Sequence, residues 1–280
     1  MKRSRPANKI GLTVVYLFLI AVSLWVLFPM WRVLSVALRP GDRLLSTTLE
    51  LFPSDATLQN FKAVIQDHDL LLWLWNSLII SLTTAFLGVS IAALSSYALS
   101  RWTFRGRNAM LIAIFCTQLL PQTAMMIASY LMILKLNLVN TYMGIIIAYS
   151  IKAVPFSIWI LKGYYNTIPR EIEEAASIDG AGQVRILYRI FLPLAAPALS
   201  IVFLLNFMSG WNEYLFARII LQKSELATWP LGLTRLSGQF LTSWGDFSAA
   251  SLIIAVPVVV LFLFSSRYLL SGLTLGAVEG

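Results

Sequence analysis

The chain has few charged residues and almost no cysteine or histidine. Of its 280 residues, 12% are charged and 58% are hydrophobic, and the mean hydropathy is +0.77. Soluble domains carry about one quarter charged residues, so this composition excludes an ordinary soluble protein. It predicts one membrane domain that crosses the bilayer several times and whose apolar surface is covered by lipid.

The single cysteine, Cys116, lies in an apolar run. One cysteine cannot form an internal disulfide, and it has no neighbouring cysteine or histidine to complete a metal site. We interpret it as a packing residue and expect no metal on this chain. The net charge of +8 is spread in small groups at the ends of apolar runs. This pattern favours membrane orientation over nucleic-acid binding.

Three motifs that would indicate chemistry are absent from the sequence. There is no G-x-x-x-x-G-K-[ST] loop, whose backbone amides and lysine would hold nucleotide phosphates. Energy for any active transport must then come from another polypeptide or from an ion gradient. H-E-x-x-H and G-x-S-x-G are also absent, which makes an intramembrane enzyme the least favoured class. We expect neither a cofactor nor catalysis on this chain.

Six segments are apolar enough to cross a bilayer, which takes about 20 residues as a helix. They are residues 11–31, 77–98, 109–134, 142–161, 193–221 and 249–270. The first follows a basic N-terminus and precedes small residues, as in a cleaved signal peptide. Its apolar run is too long for a signal peptide, so we favour an uncleaved helix.

Lysine and arginine are concentrated in alternate connections, which sets the predicted orientation. We predict cytoplasmic tails at residues 1–10 and 271–280, so both termini lie inside. An extracytoplasmic connection with short helices follows at residues 32–76, and the membrane core covers residues 77–270. The polar loop at residues 169–193 is then cytoplasmic.

This loop has the pattern of two short helices. Glutamates fill the first turn of the first helix, where negative charge complements the helix dipole, and an Asp-Gly pair ends it. An exposed carboxylate suits an arginine partner, and small residues beside it allow close approach. The candidate contact residues are Glu174, Ala175, Ala176, Asp179, Gly180 and Pro193. The alternative from these residues alone is a solvated loop whose charges only set topology.

The same loop resembles the EAA signature of ABC importer permeases. Glu174-Ala175-Ala176, Gly180, Ile190 and Leu192-Pro193 match the spacing E-A-A-x3-G-x9-I-x-L-P. The segments WNEYL at residues 211–215 and WGDF at 244–247 are similar to the carbohydrate-uptake, maltose-type members. The tail from residue 272 is similar too, but Glu279 stands where the family pattern has lysine.

The resemblance implies an all-α, type I importer fold with six transmembrane helices. It implies a non-catalytic permease in the cytoplasmic (inner) membrane of a bacterium or archaeon, with four kinds of partner. These are two ATP-binding subunits that hold ATP and Mg²⁺, a homologous second permease, an extracytoplasmic sugar-binding protein, and the lipid bilayer. The loop at residues 169–193 would be the coupling helix, and the cargo a disaccharide or short oligosaccharide such as maltose or trehalose. A gradient-driven secondary transporter remains the alternative.

Polar residues within the predicted spans are candidates for the translocation pathway, because such groups are costly in lipid and usually face a cavity or another helix. They are Gln118, Gln122, Lys152, Asn206, Asn212 and Glu213. Each has a second interpretation. Glu213 could lie at the membrane interface, Lys152 could extend its ammonium to the headgroups, and the amides could only join helices.

Overall fold

The computed structural model describes residues 9–40, 52–237 and 242–275. Within these ranges the only β-type pairing is an isolated bridge between Ser237 and Thr242. The α-helices are α1 Lys9–Ala37, α2 Gln59–Gln66, α3 Leu70–Arg101, α4 Arg107–Leu119, α5 Gln122–Lys135, α6 Tyr142–Tyr165, α7 Glu171–Ile178, α8 Gln183–Ile186, α9 Leu192–Leu194, α10 Ala196–Trp211, α11 Leu215–Ile220, α12 Trp229–Leu236 and α13 Trp244–Leu275. A π-helical turn, Leu187–Phe191, joins α8 to α9.

Four of these helices, α1, α3, α6 and α13, are each long and apolar enough to cross a membrane. Two bent pairs raise the number to six if each pair is one span. The all-helical prediction is confirmed for the described residues. The chain ends at residues 1–8 and 276–280, including Glu279, lie outside them.

The predicted span over residues 109–134, which contains Gln118, Pro121 and Gln122, is broken into two helices. The chain bends by 105° between α4 and α5. Leu120 has an extended backbone, with φ −70° and ψ 137°. The cause is Pro121, because a proline disfavours helical geometry in the residue before it and supplies no amide donor.

The predicted span over residues 193–221 is also interrupted. Residues 183–194 and α10 meet at an angle of 74°, where Pro193 and Pro197 each remove a helix donor. Helix α10 then ends at Trp211, and α11 begins only at Leu215. A short non-helical break therefore separates them, within the predicted WNEYL motif.

The remaining helices are longer than their predicted spans. Because α1 ends at Ala37 and α3 begins at Leu70, the connection between them is shorter than residues 32–76 and holds α2.

The chain divides into two compact units, one of residues 1–69 and 233–254 and the other of residues 70–232 and 255–280. Cys116, expected to be a packing residue, is exposed on α4.

In the first unit, Asn60 of α2 closes the end of α1. Its amide Nδ2 donates to the carbonyl oxygens of Ala37 (2.9 Å) and Arg39 (2.8 Å). Gly245 packs so closely that a Cβ there would lie 2.5 Å from Asn60 Nδ2. The glycine of the WGDF motif is therefore explained by this close approach. Side chains at residues 11–30 are exposed, as expected for a helix that faces lipid or another membrane subunit.

In the second unit, α3 and α6 run parallel and α10 runs antiparallel to them. The starts of α3 and α6 meet where Tyr142 Oη donates to Asn76 Oδ1 at 2.7 Å. Their ends meet where Arg101 donates to the carbonyl oxygen of Tyr165 at 3.0 Å. A buried apolar cluster surrounds this second meeting point and includes Phe191. We call this meeting point of the ends of α3 and α6 the loop end, because the loop that begins with α7 follows it directly.

Candidate functional site

Helix α7 carries three glutamates in its first turn, and they have different environments. Glu173 turns toward the loop end. Tyr97 Oη donates to its Oε2 at 2.8 Å, and Arg101 Nε donates to its Oε1 as an ion pair. Glu174 is exposed, and within the described chain its side chain has neither a hydrogen-bond nor an ion-pair partner. The neighbouring carboxylate thus fixes the helix, and Glu174 is left available.

The other predicted contact residues of the loop divide in the same way. Ala175, Asp179, Gly180 and Pro193 are exposed. Ala176 is buried, with 8% of its surface exposed, so it packs inward and does not offer a surface to a partner. The small side chain at this position lets α7 lie close to the rest of the loop.

Gly180 ends α7 in a Schellman motif. The amide of Gly180 donates to Ser177 O at 3.1 Å, and the amide of Ala181 donates to Ala176 O at 3.0 Å. This pairing needs a left-handed residue after the C-cap, and Gly180 has φ +81°. The glycine of the EAA pattern is therefore required by backbone geometry.

Replacing Gly180 by alanine should loosen the end of α7, since a Cβ in the left-handed region costs about 1–2 kcal/mol. Amide hydrogen exchange measured on peptides covering residues 178–183 should accelerate by roughly tenfold, following that cost. Gly182→Ala is the matched control, because Gly182 has an ordinary φ of −71°. Equal exchange in the two variants would contradict the motif's role.

Three apolar side chains of α7 and of the segment after it are strongly exposed. Ile178 is 87% exposed, Val184 71% and Tyr188 57%. Glu174 and Ile178 are four residues apart on α7 and so share one face of the helix. Exposed large apolar residues are typical of a protein interaction surface. We call Glu174, Ile178, Val184 and Tyr188 the loop surface.

Five of the six predicted pathway residues line one polar groove of the second unit. It has two adjoining parts, which share Ala148, Lys152 and Phe216. The predicted residues that line it are Gln118, Gln122, Lys152, Asn206 and Glu213. The groove lies where the two breaks, after α4 and after α10, face each other.

Glu213 connects the two breaks. Its Oε1 accepts the amides of Leu215 (3.0 Å) and Phe216 (3.3 Å) at the start of α11. Its Oε2 accepts a hydrogen bond of 3.3 Å from Nε2 of Gln122, which is the first residue of α5. A carboxylate at a helix N-terminus satisfies free amides and complements the helix dipole. This explains why a glutamate follows the end of α10.

The remaining polar candidates differ in their exposure and in their hydrogen-bond partners. Lys152 is exposed to the groove and has no hydrogen-bond or ion-pair partner in the described ranges. Asn206 is buried and donates to Ser157 Oγ at 2.7 Å, so it joins α10 to α6 at the groove wall. Asn212 does not line the groove, because its Nδ2 donates to Met208 O one turn earlier.

The lining of the groove therefore combines hydrogen-bond donors and acceptors with an apolar surface. Lys152 supplies donors, Glu213 an acceptor, and the two glutamines both. Phe216 gives an apolar surface. Such a lining suits a neutral polyhydroxylated molecule. Among the described residues, no group of three or more His, Cys, Asp or Glu side chains could hold a metal ion.

Sequence reasoning missed the residues that hold the loop in place. In the sequence, Arg101 is one of the basic residues that set the predicted orientation, and Glu173 is one of the glutamates in the first turn of the loop. Tyr97 had no signal at all, since a tyrosine in an apolar run is usually packing. A basic residue that ends a span, before a loop with adjacent glutamates, was the available indication for Arg101.

Long apolar helices, a polar groove between broken helices and one exposed loop define a membrane transport subunit. The chain belongs to the family of binding-protein-dependent transport system inner membrane components, whose family profile matches residues 1–272. The resemblance drawn from the EAA pattern is therefore confirmed.

Curated relatives match along nearly the whole chain. The maltodextrin transport system permease protein of Bacillus subtilis is 35% identical, over 99% of this chain and 98% of its own. The trehalose/maltose transport system permease protein of Thermococcus litoralis is 35% identical, over 93% and 94%. The diacetylchitobiose uptake system permease protein of Streptomyces coelicolor is 31% identical, over 93% and 95%.

The fold is also that of a solved transporter subunit. A chain in the crystal structure of a bacterial ABC transporter that imports the acidic polysaccharide alginate matches with a TM-score of 0.80. The match covers 96% of this chain and 99% of that one, at 23% sequence identity. This likeness shows a shared fold.

Proposed function

We propose that this chain is a permease subunit of an ATP-driven, binding-protein-dependent sugar importer in the cytoplasmic membrane of a bacterium or archaeon. Its cargo is a disaccharide or short oligosaccharide such as maltose or trehalose. The observation that carries this proposal is full-length identity of 31–35% to permeases named for diacetylchitobiose, maltodextrin and trehalose/maltose. Each bent pair counts as one span, which gives six spans with both termini in the cytoplasm.

ATP and Mg²⁺ are bound by two partner subunits, because this chain has no nucleotide-binding loop. The loop surface docks on one of them. Glu174 accepts an arginine of the ATPase, while Ala175, Asp179 and Gly180 give a close fit and Pro193 ends the coupling segment. The exposed apolar residues beside Glu174 support this assignment, since they would otherwise face water.

The polar groove is this chain's half of the translocation pathway, and a homologous second permease completes it. Lys152, Gln118 and Gln122 donate to sugar hydroxyls, and Glu213 accepts from them. Alternating access follows when ATP-driven closure of the ATPases moves the two coupling helices together. The groove then opens toward a sugar-loaded binding protein outside the membrane.

The proposal is tested by purifying the tagged chain from its native membrane in mild detergent. Mass spectrometry should identify a P-loop ATPase and a second permease with it. The complex in proteoliposomes, with its binding protein outside and ATP inside, should take up one of radiolabelled maltose, trehalose or maltotriose. Uptake should stop when ATP is omitted.

A chain that purifies alone and still transports sugar would overturn the proposal in favour of a gradient-driven transporter. An ATPase-containing complex that accepts none of the three sugars, yet is stimulated by its loaded binding protein, would reject only the cargo assignment. A collapse of the ion gradient by ionophores serves as the control, since it should leave ATP-driven uptake unchanged.

A further inference from the structure

Arg101, the last residue of α3, contacts four parts of the loop end. Its Nε pairs with Glu173 of α7. Its Nη1 donates to Tyr165 O, the end of α6, and its Nη2 donates to Ile168 O just beyond, each at 3.0 Å. Its Cζ lies 4.8 Å from the centre of the Phe191 ring in the π-helical turn. One guanidinium therefore joins two spans, the coupling helix and the segment after it.

This arrangement is enclosed and its polar groups are paired. The side chains of Arg101 and Glu173 are only 8% and 14% exposed. Tyr97 Oη donates a hydrogen bond to the other carboxylate oxygen of Glu173 at 2.8 Å, and Arg101 Nη1 also donates to Ser100 Oγ at 3.2 Å. Buried charges of this kind hold a fixed geometry, because removing one partner leaves the other unpaired away from water.

Helix α7 has little else to hold it. Ala176 is the only buried residue of this helix. Among the described side chains of α7, Glu173 makes all the hydrogen bonds to the spans. Arg170, which precedes the helix, adds one contact to Ser100 O at 3.3 Å. Of the side-chain hydrogen bonds that could carry a displacement of α7 to the spans, those of Glu173 with its two partners are therefore the main ones.

We propose that Tyr97, Arg101 and Glu173 form a clamp that transmits movement of α7 to the ends of α3 and α6, with Arg101 as the positioning residue. The inference rests on the proposed coupling role of the loop. It adds that loop docking and loop transmission depend on different glutamates. Glu174 faces the ATPase, and Glu173 faces the spans. Losing the clamp uncouples the permease without releasing the ATPase.

The first test measures uptake per ATP hydrolysed in proteoliposomes of the purified complex. The probe is whichever of radiolabelled maltose, trehalose and maltotriose the wild-type complex takes up. Arg101→Ala and Glu173→Gln should each lower this ratio by about tenfold, within the range of measured coupling effects. The ATPase should still copurify. The double variant should be no worse than Arg101→Ala alone, because both changes break one interaction. Arg101→Lys should be intermediate, since lysine keeps the charge and loses the fork.

Matched controls lie in the same connection and on the same helix. Arg105 and Glu171 are exposed and without a hydrogen-bond or ion-pair partner in the described part of the chain. Arg105→Ala and Glu171→Gln should leave the ratio within twofold of wild type. If they lower it as much as the clamp variants, charge alone is responsible and the clamp is rejected.

A second readout needs no sugar. Spin labels at Glu171→Cys, which lies outside the loop surface, and at Gly163→Cys, with Cys116 replaced by serine, report the distance between α7 and the end of α6. Both sites are exposed. The distance distribution should stay narrow with and without ATP and vanadate, and it should broaden in Arg101→Ala. An unchanged distribution and ratio in Arg101→Ala would overturn the clamp. A wild-type complex that shows neither ATP-dependent uptake nor ATPase activity stimulated by its binding protein would instead reject the proposed function.

Discussion

Glu174→Lys is expected to abolish sugar uptake while the permease stays folded and inserted. The Glu174 side chain has no hydrogen-bond or ion-pair partner within the described chain, so its replacement removes no such side-chain bond from the fold. A lysine would instead face the proposed arginine of the ATPase, and like charges at an interface weaken binding strongly. We expect ATPase affinity to fall by about 100-fold, equivalent to roughly 2.7 kcal/mol. Copurification and uptake measure the result.

The control for this substitution is Glu171→Lys. Both glutamates lie in the first turn of α7 and are exposed, so both changes reverse the same charge against the same helix dipole. Only Glu174 belongs to the loop surface beside Ile178. An ATPase that stays bound to Glu174→Lys, with normal uptake, would remove this residue from the coupling contact. Equal loss in both variants would indicate a general charge effect.

The sequence predicted the all-helical fold and the long apolar helices, because both follow from local composition. An apolar run of the right length must satisfy its backbone within itself, so α3, α6 and α13 were recognisable without tertiary contacts. The breaks were harder. Pro121 was visible in the sequence, but the 105° bend depends on how α5 packs after it. One straight transmembrane helix and two helices joined at a bend can have the same composition, so composition does not reveal the bend.

The clamp shows a different limit. Glu173 and Glu174 are adjacent and identical in type, and both stand at the start of a helix. Their roles separate only because one side chain turns toward Tyr97 and Arg101, about 70 residues earlier in the chain. The position of a residue along α7 determines whether its side chain faces the spans, but the partners that it meets there belong to α3. A pattern such as E-A-A can locate the loop and cannot assign this contact.

Glu213→Ala is expected to reduce uptake by about tenfold or more. The substitution removes the acceptor for two amides of α11 and the link to Gln122 of α5, so both breaks lose their common anchor. Loss of a helix cap alone costs about 0.5–2 kcal/mol. Loss of the groove's acceptor removes a sugar contact as well. Initial uptake rates at several sugar concentrations, normalised to permease in the membrane, measure the change.

The cap and the sugar contact are separated by Glu213→Gln. Its amide oxygen can still accept the α11 amides, so the helix start should survive, whereas the charge in the groove is lost. Protein level should then match wild type, and the sugar concentration for half-maximal uptake should rise. Glu225→Gln, an exposed carboxylate outside the groove, is the control. Wild-type uptake by Glu213→Ala would show that neither link matters. Uptake restored fully by glutamine would leave Glu213 with a structural role only, because a carboxylate that binds sugar loses its charge-assisted hydrogen bonds on becoming an amide.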